Sequence, residues 1–212
     1  MGLLFVILLH FVAIFIVSSI FALLSGVITF SVSKNNRKRK TFLAAAVPFL
    51  FFYSLYISGL ISLIIISEIK NTDIGIGDYA YVPLNDSCKI EMIDIPDRAY
   101  IKCNGKTIAT DVIKINKFKN KIIGSNSNFR FFALDLQESR IDYYSNEQEL
   151  IENEDADGYT LMDVDKFYSK QYYDVAGKSI ILGGIISFVF SVLISVLFCK
   201  LVSVIIHRET RR

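Results

Sequence analysis

The sequence predicts an integral membrane protein with three transmembrane α-helices. A small α+β domain, mostly antiparallel sheet, is expected outside the cytoplasm between the second and third helices. Three observations predict this. Mean hydropathy is +0.43 over 212 residues, high for a soluble chain. The apolar residues gather in three runs, about 3–32, 42–66 and 179–206, each longer than the roughly 20 residues that span a bilayer core. Charge is also partitioned. Lys34, Arg37, Lys38, Arg39 and Lys40 crowd the gap between the first two runs, whereas every Asp and Glu except Glu209 lies within 68–178.

The positive-inside rule turns this pattern into a topology. Residues 1–32 are a first transmembrane helix with its N-terminus outside, and 33–41 a basic cytoplasmic loop. Residues 42–67 are a second helix, 68–178 the exported domain, 179–206 a third helix, and 207–212 a cytoplasmic tail with Arg208, Arg211 and Arg212. In a loop this short the basic residues are topology determinants first, and a lipid or nucleic-acid patch only second. No Lys or Arg precedes the first run, which is also too long for a signal-peptide core, so it is expected to stay as a helix.

The third run carries a row of small residues at every fourth position: Ser179, Gly183, Ser187, Ser191, Ser195, then Cys199 and Ser203. Small residues let helix backbones approach in lipid, and hydroxyls can hydrogen-bond across the contact. Each step of four advances about 400°, so the row sweeps about 240° overall, too wide for one partner helix. Ser18, Ala22 and Gly26 repeat the spacing in the first run and are expected to dock on the third; Ser54, Ser58 and Ser62 form a row in the second. A second copy of the chain is the alternative partner. Pro48 is expected to kink the second helix mildly. His10 stands alone among the membrane runs and is expected to be neutral and bonded to a neighbouring helix. The runs carry no charge near their centres, which argues against a transporter or pump.

Within the domain, β-branched and aromatic stretches predict strands at 79–83, 89–94, 99–103, 107–116 and 121–123. A turn-rich break is read at 124–128, and strands at 129–136 and 140–144 form a hairpin across 137–139. Asn104-Gly105 is a tight-turn signal, because both central positions of that turn need positive φ. Ser145 and Gln148 read as a capping box that opens a helix to about 154, and a second helix is expected over 163–173. Tyr168, Tyr172 and Tyr173 read as interface anchors for the third run.

Cys88 and Cys103 are the domain's only cysteines, and outside the cytoplasm such a pair is expected to be oxidised. Closing that loop contributes about 3 kcal/mol. Residues 153–158 partly resemble an EF-hand loop, through Asn153, Asp155, Asp157 and Gly158. The twelfth position is Val164 rather than a bidentate Glu, so no metal is expected and calcium is only a weak candidate. Lys114, Lys117, Lys119 and Lys121 precede an acidic stretch of Glu147, Glu149, Glu152, Glu154, Asp155 and Asp157, which predicts either pairing within the domain or a two-ended partner surface. Asn85-Asp86-Ser87 matches the glycosylation triplet.

No catalytic constellation is legible. The domain has no His, and the chain lacks nucleophile-elbow, zinc-helix and phosphate-loop motifs. The expectation is a non-enzymatic protein without cofactor, whose partners are membrane lipid and another membrane or periplasmic protein, with a homo-oligomer as an option and no nucleic acid. The Ile, Lys and Asn bias resembles that of AT-rich mobile or prophage genes. It points to a bacterial inner-membrane protein that binds or blocks an incoming factor, as in phage superinfection exclusion or toxin immunity. The alternative is an envelope sensor or assembly subunit acting through a membrane partner.

Overall fold

A computed structural model describes residues 3–76, 79–93, 97–128, 130–155 and 158–209. Asp94, Phe129, Asp157, Arg211 and Arg212 therefore lie outside the described residues. In chain order the elements are α1 (Leu3–Val32), α2 (Arg37–Lys70), β1 (Tyr79–Pro83), β2 (Cys88–Ile93), β3 (Ala99–Cys103), β4 (Lys106–Phe118), β5 (Lys121–Asn126), β6 (Phe131–Asp135), β7 (Arg140–Tyr144), α3 (Glu147–Glu154), β8 (Met162–Asp163), α4 (Val164–Tyr172), a π turn (Tyr173–Gly177) and α5 (Lys178–Glu209). They divide into two units: Met1–Ile65 with Ser179–Arg212, and Ile66–Lys178.

In the helical unit, α1, α2 and the stretch containing α5 are long and apolar enough to cross a membrane. The basic stretch is shorter as a loop than the sequence implied. Arg37, Lys38, Arg39 and Lys40 form the first turn of α2, leaving Lys34 among the few connecting residues. Asn36 turns the chain with φ 52°. Arg37 then donates from Nε to the Phe30 carbonyl and stacks 3.5 Å from that ring's centre, satisfying a C-terminal carbonyl of α1.

Pro48 sits inside α2 without ending it. A proline lacks the N–H that would bond the carbonyl four residues back, here Ala44. The Ser25 hydroxyl of α1 donates to that carbonyl at 2.8 Å. Helix α2 meets α1 through Phe15–Phe49 and Phe21–Phe52, and α5 through Phe51–Phe188. His10 lies 3.2 Å from the Tyr56 hydroxyl of α2, the neighbouring-helix bond the sequence implied.

The small rows differ in two ways from expectation. Gly26 faces α2, where a Cβ would touch Thr41 and Ala45 at 3.8 and 3.9 Å, and not α5. On α5, Gly183, Ser187, Ser191 and Ser195 are buried, Ser179 and Cys199 half-buried, and Ser203 exposed. The row leaves the contact because four residues overshoot a turn by about 40°. The hydroxyls also turn inward on their own helix. Ser191 donates to the Ser187 carbonyl at 2.8 Å and Ser195 to Ser191 at 2.9 Å, the four-back bond open to any helical serine. Across the contact, Ser58 reaches the Ser187 carbonyl only at 3.5 Å. Ser18 and Ala22 are buried.

The other unit is an antiparallel meander, β1 through β7 in order, with β8 on β4. Strand β4 is long enough to pair β3 along its first half and β8 further on, with β5 along its other edge. Bulges in β4 bend it. Val82 of β1 and Phe132 and Leu134 of β6 share one core with Val164 and Phe167 of α4, so the sheet curls around that core. The opposite face of β5 and β6 buries Ile123 and Ala133 under Leu150 of α3. Asn104 and Gly105 both take positive φ, 51° and 77°, and turn β3 into β4 as their sequence implied.

Two local expectations are corrected. The strand expected to stop at 123 continues as β5 to Asn126, so Gly124 is not in a break. A Cβ there would lie 2.6 Å from the Phe132 ring and 2.7 Å from the Lys114 carbonyl, and glycine is what lets those groups close in. The capping box is shifted by one residue. Asn146 caps α3 by accepting from the Glu149 N–H at 2.8 Å, and Glu149 accepts from the Ser145 N–H at 2.8 Å.

Candidate functional site

The free face of β1–β3 carries the candidate site. Cys88, Ile90 and Met92 point into the core, so alternation sends Lys89, Glu91 and Ile93 to the other face. Register sets Tyr81 and Tyr100 on either side of Glu91, Tyr79 beside Ile93, and Lys102 beside Lys89. Glu91 is 1% exposed, although this face otherwise meets solvent. Lys89 and Lys102 reach its two oxygens at 2.8 and 2.5 Å. Burial alone would raise the Glu91 pKa, but the bonds from Lys102, Lys89 and Tyr79 outweigh it and hold the carboxyl below its usual range. Tyr79 is pushed upward, first by burial and then by its bond to Glu91.

One buried carboxylate thus holds two lysines in place. The Lys89 ammonium also lies 4.8 Å above the Tyr81 ring. The outer skin is aromatic and cationic: Tyr79 is 41% and Ile93 46% exposed, with Tyr81, Tyr100, Lys89 and Lys102 half-buried. Preorganised tyrosines and lysine stems are surfaces for recognition, because little side-chain freedom is left to lose on contact.

The chain matches no protein-family model, no characterised protein and no solved structure.

The residues singled out in the sequence fall elsewhere. Cys88 and Cys103 are bonded and face each other directly across β2 and β3. Asn153 spends its amide on the Glu149 carbonyl at 2.7 Å, and Asp155, at the left-handed end of α3, lies 4.0 Å from Lys119. Among the described residues no three His, Cys, Asp or Glu groups are placed to hold a metal. The acidic and basic stretches pair in part within the domain. Glu154 accepts from Lys121 at 2.5 Å and from the Tyr144 hydroxyl at 2.6 Å, pinning α3 to β5 and β7. Its bond raises the Lys121 pKa. Asn85 of the glycosylation triplet donates its amide to the Leu136 carbonyl at 2.6 Å, so that nitrogen is already engaged.

The Glu91 face escaped sequence reasoning. Its signal was the alternation Lys89, Glu91 against Cys88, Ile90, Met92, but only strand pairing brings Lys102 to that carboxylate and sets Tyr81 and Tyr100 on either side of it.

Proposed function

We propose that the chain is a non-enzymatic bacterial inner-membrane protein whose periplasmic domain and packed helices bind or block an incoming factor, in phage superinfection exclusion or toxin immunity. In this reading the N-terminus lies outside, Lys34 to Lys40 lie in the cytoplasm, and residues 68–178 face the periplasm. The observation that carries it is the face of Tyr79, Tyr81 and Tyr100 arranged around buried Glu91 and its two lysines. A disulfide in the same unit fits an oxidising compartment. Three apolar helices supply the anchor. Expression in a sensitive host, followed by challenge with a broad panel of phages and pore-forming colicins, tests it. Reduced plating or killing is expected, and unchanged values across the panel would sink it.

The π turn Tyr173–Gly177, immediately before α5, favours a second reading. Such turns recur at functional sites. An envelope sensor or assembly subunit working through a membrane partner would use one there, and stable co-purification of such a partner would select this reading.

A further inference from the structure

A groove of about 390 Å³ runs between α2 and α5. Its walls are Val47, Phe51, Val192 and Val196, with Ser195 and Cys199 beside them and Lys200 lining it as well. The two helices are antiparallel here: Ser58 lies by Ser187, Phe51 by Phe188, and Val47 by the 195–200 stretch. Lys200 therefore sits toward the end of α2 that carries Lys38 and Lys40. Lys38, Lys40 and Lys200 are exposed. Residues 1–65 and 179–212 contain a single carboxylate, Glu209. Within this unit only Glu209 offers an acidic side chain to Lys38, Lys40 and Lys200.

We propose that the groove holds an acyl chain of an anionic glycerophospholipid, whose phosphate is drawn to Lys200 with Lys38 and Lys40 at the same end. Apolar walls suit the chain, and the cations suit an anionic headgroup over a zwitterionic one. The helical unit of a second copy would bring its own lysines and no acidic side chain beyond Glu209, so charge favours lipid. The proposal rests on α2 and α5 crossing a bilayer.

The test is native mass spectrometry of the full chain in detergent with equal dioleoylphosphatidylglycerol and dioleoylphosphatidylcholine. Retained phosphatidylglycerol should exceed phosphatidylcholine about fivefold, the worth of one lysine at an anionic surface. Lys200→Gln, an exposed change that spares packing, should bring the ratio toward one. Val196→Trp, which fills the groove, should reduce both lipids. Equal retention by the wild type, or a ratio unmoved by Lys200→Gln, would overturn the proposal. Cys199 is the free cysteine, so an oxidative Cys199–Cys199 dimer in membranes would assign the groove to a second copy and overturn it too. Alkaline carbonate extraction separates the two levels. Release from membranes would overturn the membrane reading itself, whereas retention with equal lipid counts would overturn this proposal alone.

Discussion

The hydroxyl of Ser25 donates to the carbonyl of Ala44, the acceptor that Pro48 leaves without its helical partner. The bond explains how α2 tolerates a proline inside an apolar run: α1 supplies the donor that the backbone lacks. Ser25→Ala should cost about 0.6 kcal/mol and at most about 1.7 kcal/mol, the average and maximum for interhelical bonds in membranes. In a Pro48→Ala background the Ala44 carbonyl regains a backbone donor, and Ser25→Ala should cost little. A double-mutant cycle on unfolding in detergent reads the difference; equal costs in both backgrounds would refute the pairing.

Glu91→Gln should destabilise the β-domain by about 1.5–3 kcal/mol, because two lysines lose a buried charged acceptor. The effect depends on pH. The folded Glu91 pKa is lowered, so its contribution is fully present above the unfolded value of about 4.3 and is lost as pH falls through the lower folded value. Wild type and variant should therefore differ at neutral pH and converge under acid. Denaturant midpoints across that range check both statements.

Gly124→Ala should destabilise by about 1–3 kcal/mol, since the new methyl meets the Phe132 ring and a backbone carbonyl that cannot yield. Trimming the ring in a Gly124→Ala, Phe132→Leu double variant relieves only one of the two clashes, so recovery should be partial. Thermal unfolding of the two variants measures it.

Reducing the Cys88–Cys103 bond, or replacing both residues with Ala, should cost about 3 kcal/mol and leave the strand register intact. Circular dichroism with and without reductant tests this. A collapse of sheet signal at low temperature would instead mean that the bond holds the register.

The helices were legible because length and composition suffice for a membrane span. Their packing was only half legible. The four-residue spacing located the buried stretch Gly183 to Ser195 but not where the row leaves the contact, and spacing cannot say which neighbour a face meets: Gly26 meets α2. Seven serial strands could be read from β-branched runs and from Asn104-Gly105. Gly124 misled because glycine marks both turns and close approaches, and only the Phe132 ring distinguishes them. The Glu91 cluster was not legible, since its members come from three strands whose register no single stretch encodes.

On the proposed function, protection resides on the β1–β3 face. The most direct measurement compares cells expressing the wild type with cells expressing Tyr81→Ala, Tyr100→Ala at matched abundance, challenged with the same phage and colicin panel. The wild type should protect against at least one challenger, and the double variant, with Glu91 and its lysines intact, should lose that protection. Protection undiminished in the double variant would contradict the assignment of this face.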